Sequence, residues 1–336
     1  MATFCKRYLC RSRMEVLLQT IKDSITIGCL YALIALGYTM VYGILKFINF
    51  AHSDVVVLGA LITAVLGGKV VGRLDPGTTA AWYFGPLVLL LAMSLCGLVA
   101  FAVERLAYRP LRRAPRLNVL ITAIGVSLFL QNAGQLPFLF GTEPHPVPRL
   151  ITQSSQVLTA AGETVDKSIL LHVGAVSIRL LDVAIVGTAL VLMITLEWLV
   201  FHTKVGRGMR AVSHDTRIAS LMGVPVDRII SFTFVLGASL AGAGGFLYAL
   251  RYQTVTQPAD TGWALLGLKA FVAAVVGGIG NVRGAVLGAL AIAAVENFGA
   301  AYLHPGYTDV YVFLILVLVL LFKPSGILGK ASVEKV

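Results

Sequence analysis

Nine stretches of this chain are apolar over most of their length, and that constrains the fold more than any other feature. They are Ser24–Leu45, Val55–Val71, Tyr83–Val103, Leu117–Phe140, Leu180–Phe201, Ile229–Leu250, Ala264–Ile279, Ala285–Leu303 and Val310–Phe322. A helix of roughly 17–25 residues spans the hydrocarbon core of a bilayer. No water is present there to satisfy backbone amides and carbonyls, so each run must close its own hydrogen bonds as a helix. Several runs are short or interrupted by glycine, which gives an all-α, polytopic transmembrane helical bundle of eight to ten spans. Composition agrees: 57% of the 336 residues are hydrophobic and 13% charged, against about 25% charged in soluble domains.

The charges orient the bundle. Arg105, Arg109, Arg112, Arg113 and Arg116 form one basic loop, and Lys204, Arg207, Arg210, Arg217 and Arg228 a second. Lys323, Lys330 and Lys335 mark the C-terminus. Basic loops stay in the cytoplasm and face anionic lipid, which accounts for the net charge of +11 without a nucleic-acid surface. Gly141–Arg179, with Pro144, Pro146 and Pro148 and only three basic residues (Arg149, Lys167 and Arg179), reads as a large external loop. Counting back from Arg105 places the N-terminus outside, yet Lys6, Arg7, Arg11 and Arg13 argue for inside. Two resolutions stay open. Met14 is the true start, so that 1–13 is an N-terminal extension to a permease domain at 14–336, or a re-entrant segment near Asn49–Asp54 changes the count. The head has no apolar signal-peptide core. Cys5, Cys10, Cys29 and Cys96 show neither pairing nor metal-ligand spacing and read as free thiols, with no metal site.

Four features carry potential function. Ala211, Asp215, Ala219 and Gly223 recur every four residues, which places them on one stripe of a helix closed by Pro225. That stripe, within a cytoplasmic coupling loop at 202–228, is either a docking face for another protein or part of an amphipathic helix anchored at the headgroups by Arg207, Arg210 and Arg217. Asn49, His52 and Asp54 form a polar break between two apolar runs. Such a break is a gate lining a cavity or a short interfacial loop. Glu296, beside Asn297, is an ionisable residue inside a span; it serves a transport pathway or a helix-to-helix hydrogen bond. Lys269 lies six residues past Trp263 and is expected to snorkel to the external interface. Gly237, Ala241 and Gly245, and likewise Gly280, Gly284 and Gly288, are small-residue faces for close helix crossing.

Five ordered blocks resemble the branched-chain amino acid permeases of the LivH type. They are Gly37–Asp54 (GYTMVYGILKFINFAHSD), Glu104–Pro110 (ERLAYRP), Leu120–Asn132 (LITAIGVSLFLQN), Lys269–Gly280 (KAFVAAVVGGIG) and Pro324–Gly329 (PSGILG). The 206–234 stretch is similar to that family's coupling loop, and the likeness runs from about Met14 to Val336. Ser53 stands where the family usually has Gly, and the external loop matches no block. The resemblance implies the permease subunit of an ATP-binding-cassette importer, translocating branched-chain amino acids across the cytoplasmic (inner) membrane. It implies a second related permease, two ATPase subunits and an external binding protein as partners. ATP and magnesium would sit on those ATPases, because this chain has no phosphate-cradling G-x-x-x-x-G-K-[ST] motif; Gly326–Ala331 has the wrong spacing. No catalytic residue is expected: H-E-x-x-H, G-x-S-x-G and paired carboxylates beside a His are all missing from the sequence. The competing readings are an ion-coupled secondary transporter or channel working through Glu296 or Asp54, and a permease of the same design for urea or short amides.

Overall fold

The computed structural model describes residues 2–47, 49–71, 83–112, 114–148, 150, 156–158, 164–166, 169–173, 176–255 and 261–329. Arg113, Arg149, Lys167, Lys330 and Lys335 lie outside them, as do the side chains of Cys5, Lys6, Arg7, Cys10, Arg11, Arg13, Arg116 and Trp263. The apolar runs become α1 (Ala2–Leu45), α2 (His52–Val71), α3 (Phe84–Val103), α4 (Arg116–Gly134), α5 (Leu180–His202), α8 (Val226–Tyr252), α9 (Thr261–Gly277), α10 (Val282–Tyr302) and α11 (Thr308–Phe322). Two short helices, α6 (Lys204–His214) and α7 (Thr216–Leu221), lie between α5 and α8. Among the described residues eight helices are long and apolar enough to cross a membrane, and α9 contributes a shorter apolar stretch, Leu265–Gly277.

The helices divide into a hub and a periphery. From Met14 onward α1 is 89% buried over its most apolar window, whereas the corresponding part of α11 is 6% buried. The hub consists of α1 surrounded by α8, α9 and α10, with α2 and α3 packed on α8. Lipid tails are as apolar as leucine, so close van der Waals packing has to hold such helices together. The crossings are accordingly backbone to backbone. A Cβ on Gly59 would lie 2.7 Å from the Gly242 Cα, and one on Gly237 3.1 Å from the Gly37 carbonyl oxygen. Gly245 sits directly on the Val56 carbonyl of α2, while Gly284 and Gly288 lie on Gly277 and Ala273 of α9. Gly280 does not belong to that last face. It occupies the turn between α9 and α10 at φ +91°, so the expected three-glycine stripe reduces to two.

One end of the bundle, the basic face, gathers the C-terminal end of α1, the α3–α4 loop, α6 and α7, the start of α8 and the C-terminal tail. The tail is pinned there: the amides of Ile327 and Leu328 donate to the carbonyls of Val276 (2.8 Å) and Gly277 (3.0 Å). The opposite, far face carries antiparallel ribbons, and the described residues form three two-stranded ones. These pair β1 (His145–Pro146) with β6 (Thr254–Val255), β2 (Gln156–Leu158) with β3 (Thr164–Asp166), and β4 (Ile169–Val173) with β5 (Val176–Arg179). Charges lock the far ends of α1, α5 and α8 together. Asp182 pairs with Lys22 at 3.1 Å and Arg251 at 2.8 Å, and Arg251 also reaches Asp23 at 3.2 Å. The early part of α1 therefore lies at the far face. The polar break after α1 is a turn rather than a re-entrant hairpin: α2 runs for 20 residues, His52–Val71, and its Gly67 meets Pro148 on the far side.

Candidate functional site

The polar break is folded into the protein. Lys46, at φ +57°, ends α1, and the chain turns back so that His52 opens α2. Asn49, His52 and Asp54 are all buried. The Tyr108 hydroxyl donates to Asn49 Oδ1 at 2.7 Å. His52 Nε2 lies 3.2 Å from the Ile34 carbonyl of α1, with its ring 4.4 Å from that of Tyr38. The Tyr38 hydroxyl in turn shares a 2.7 Å hydrogen bond with Ser53 Oγ. Gln131 of α4 donates to Asp54 Oδ1 at 2.8 Å, while Asp54 Oδ2 has no hydrogen-bond partner among the described residues; Asp54 lines a cavity of about 30 Å³. Buried polar groups in membrane helices are costly unless satisfied, and here α1, α4 and the turn at Tyr108 converge on the polar groups of one turn.

Glu296 belongs to a different cluster. Its Oε2 accepts from the Tyr31 hydroxyl at 2.7 Å and its Oε1 from Lys269 Nζ at 2.6 Å. Lys269 also pairs with Asp309, at the start of α11, at 2.7 Å. The expectation that Lys269 snorkels to the interface is therefore corrected. Its ammonium is held inside, where two carboxylates compensate the cost that snorkelling would have avoided. Asn297, adjacent in sequence, points elsewhere and donates to the Ala293 carbonyl of its own helix at 2.7 Å. Tyr31 and Tyr38 stand about 10 Å apart along α1 at 1.5 Å per residue. The Glu296 and His52 clusters thus occupy successive levels beside one helix.

Nearer the basic face the ladder continues with Glu104, which is fully buried in a π turn (Glu104–Tyr108) at the end of α3. It accepts from the guanidinium of Arg112 and from Ser231 Oγ at 2.6 Å. Arg112 also pairs with Asp227, which holds Arg109 at 2.8 Å. Sequence reasoning missed this network. The signal began in the ERLAYRP block: Glu104, at the end of an apolar run, is followed by Arg109 within the block and by Arg112 two residues past it.

The segment between α5 and α8 is an elbow. Thr203 caps α6, its hydroxyl accepting from the Gly206 amide at 3.1 Å. Gly206 lies against the Val200 and Leu199 carbonyls, where a side chain has no room. Asp215 breaks the helix instead of lying on it: its Oδ1 accepts from the amides of Arg217 (2.7 Å) and Ile218 (2.9 Å) as the N-cap of α7. Those backbone donors, Ile218 first, hold its carboxyl below the usual carboxylate range. The stripe Ala211, Asp215, Ala219 and Gly223 is consequently not one helical face. Ala219 is buried, and Gly223 follows α7 at φ +80°. The exposed tip is apolar instead: Ile218 is 59% exposed, Leu221 82% and Met222 78%. Behind the tip, Ser213 donates to the Gly43 carbonyl of α1 at 2.7 Å, Arg210 bonds the Val200 carbonyl, and Met209 and Val212 are buried. Among the described residues no three His, Cys, Asp or Glu side chains are grouped to hold a metal ion.

Known proteins place this architecture. The family described as the branched-chain amino acid transport system / permease component matches residues 20–321. The high-affinity branched-chain amino acid transport system permease protein LivH of Escherichia coli is 37% identical over 322 residues, covering 95% of this chain and 97% of its own length. LivH of Salmonella typhimurium is 36% identical over 319 residues, with coverage of 95% and 97%. The corresponding permease protein BraD of Pseudomonas aeruginosa is 38% identical over 323 residues, with coverage of 95% and 98%. No solved structure matches. End-to-end similarity of this kind, on a polytopic helical bundle, makes the chain a member of the branched-chain amino acid transport system permease family.

Proposed function

We propose that the chain is the membrane-embedded permease subunit of an ATP-binding-cassette importer, carrying branched-chain amino acids inward across the cytoplasmic membrane. The basic face is then cytoplasmic, as the distribution of arginines requires. A second related permease chain completes the pathway, two ATPase subunits carry ATP and magnesium, and an external binding protein delivers the substrate. The observation that carries this reading is the elbow. Exposed apolar residues at the tip of a polar, cytoplasm-facing segment are suited to a protein partner, and the hydrogen bonds behind them run to α1 and α5. A displacement of the tip is passed to the hub through Gly43. The hub then moves around the buried polar ladder formed by Glu296 with Lys269, His52 and Ser53 with Tyr38, and Asn49 with Tyr108.

The test is leucine uptake in cells lacking their own branched-chain importers, supplied with the chain and its four partner subunits. Changing Leu221 and Met222 to Asp is expected to leave the amount of folded chain unchanged, because both side chains are exposed. The same change abolishes uptake and removes the ATPases from the detergent-purified complex. Normal uptake in this variant overturns the assignment of the elbow. Uptake that persists without the ATPases, and stops when the ion gradient is collapsed, replaces the importer with an ion-coupled transporter.

A further inference from the structure

A cavity of about 480 Å³ opens on the basic face between the ends of α1, α3, α4, α7 and α8. Its apolar lining includes Ile44, Phe47, Val119 and Phe234, and its charged groups are Glu104, Arg112 and Asp227. Small-molecule sites are typically concave, about 300–1,000 Å³ in volume, and combine apolar lining with a few placed polar groups. The charges narrow the ligand class. Glu104 and Asp227 share the Arg112 guanidinium, and Arg109 balances Asp227 from the rim. A free anion entering the cavity meets Glu104, and a free cation meets Arg112. A zwitterion brings one charge of each sign: its carboxylate takes a place at Arg112, its ammonium one at Asp227, and the balance is preserved. The apolar lining then receives an apolar side chain.

From this we infer that the cavity binds a free amino acid with an apolar side chain from the cytoplasmic side, and that the bound amino acid slows further import. The inference rests on the importer reading above and adds a regulatory site to it. Position supplies the effect. Thr216, beside the Asp215 cap of α7, lines the cavity, so an occupant touches the elbow. Phe47 and Tyr108 also line it, and Tyr108 holds Asn49, so the same occupant touches the turn between α1 and α2. A ligand that bridges these two elements stabilises one relative placement of them, and transport requires that placement to change. A ligand shifts a conformational equilibrium by its preference for one state; the product of import thereby acts against its own entry.

The experiment uses proteoliposomes holding the complete importer, with ATP inside and binding protein plus labelled leucine outside. Unlabelled leucine in the lumen is expected to reduce the initial rate of labelled uptake severalfold. Internal 4-methylpentanoate, which lacks the ammonium, and isoamylamine, which lacks the carboxylate, leave the rate unchanged. Ala114→Trp, which fills the mouth from the α3–α4 loop, keeps uptake into an empty lumen and loses the slowing. If that variant does not accumulate, Val119→Phe fills the cavity from α4 and is read in the same way. No slowing by internal leucine, equal slowing in the filled variant, or equal slowing by 4-methylpentanoate overturns the site. Absence of uptake even into an empty lumen removes the importer reading, and this inference with it.

Discussion

Replacing Lys269 with Met tests whether the charged cluster around Glu296 is held by mutual compensation. The Lys269 side chain is 11% exposed and that of Glu296 16%, so neither charge is well hydrated, whereas Asp309 is 43% exposed. Removing one partner of a buried pair leaves the other uncompensated, which costs about 3–5 kcal/mol. The residual exposure places Lys269→Met near the lower end, about 3 kcal/mol. Glu296→Gln leaves one carbonyl oxygen to accept from Lys269, lets the Tyr31 hydroxyl turn to accept from the new amide N–H, and leaves Lys269 paired with Asp309, so its cost is about 1 kcal/mol, that of a hydrogen bond weakened by loss of charge. The double variant Lys269→Met/Glu296→Gln buries no charge and leaves Asp309 to water. It is expected within about 1 kcal/mol of the parent, a coupling of about 3 kcal/mol between the two sites. The unfolding free energy of the purified chain in micelles, measured for all four members of the cycle, decides the matter. If the double variant loses the sum of the two single losses, the charges do not compensate one another and the account of the cluster is wrong. Uptake by a stable double variant then reports separately on Glu296: unchanged transport removes its carboxylate from the pathway.

Three further outcomes follow from the geometry. Gly245→Leu places a side chain on the Val56 carbonyl, where overpacking costs about 1–3 kcal/mol, while Gly125→Leu meets nothing within 4 Å; fluorescence-detected gel filtration is expected to show aggregation of the first variant and a normal peak for the second. Tyr108→Phe strips Asn49 Oδ1 of its donor, at a cost of about 1–3 kcal/mol for an unsatisfied buried acceptor, and a thermal melt of the purified chain should move down accordingly. Asp215 has a lowered carboxyl pKa in the folded elbow, so its stabilising contribution is present above the ordinary carboxylate value and is lost as pH falls through the lowered value. Hydrogen exchange at the Arg217 and Ile218 amides, corrected for intrinsic rate, should therefore be constant around neutral pH, rise only in acid, and be fast at every pH in Asp215→Ala.

The sequence made the helices legible because burial in lipid imposes one rule on every span, and each of the nine apolar runs falls on a helix among the described residues. It made their neighbours much less legible. Lys269 looked like an interfacial residue because its partners, Glu296 and Asp309, are 27 and 40 positions away. The four-residue spacing of Ala211, Asp215, Ala219 and Gly223 is a true helical period, but Asp215 is a better cap than a helix residue, since its short carboxylate competes for backbone amides. That preference broke the stripe and turned Leu221 and Met222 outward. Gly280 was misassigned for a similar reason: period-four spacing does not distinguish a helix face from a turn that a glycine at positive φ makes possible. The candidate gate residues were visible as a polar interruption, while the tyrosines that hold them were not: Tyr38 lies within an apolar run and Tyr108 in the charged ERLAYRP block, far from the break in sequence.

The enclosure of α1 has a consequence for how the protein is made. Of the membrane helices, α1 precedes the others in synthesis, yet its side-chain partners arrive late: Asp182 lies 160 residues beyond Lys22, Arg251 228 beyond Asp23, and Glu296 265 beyond Tyr31. At 5–20 residues per second, α1 resides in the bilayer for roughly ten seconds or more before Glu296 is synthesised. During that interval Tyr31 lacks its acceptor, Lys22 and Asp23 rely on each other and on Gln19 of the same helix, and the face at Gly37 that α8 later covers is open to lipid or to any other helix nearby. Ribosome stalling anywhere before α10 therefore leaves the most protected helix of the finished protein as its most vulnerable one, a substrate for membrane chaperones and quality-control proteases until the last third of the chain arrives.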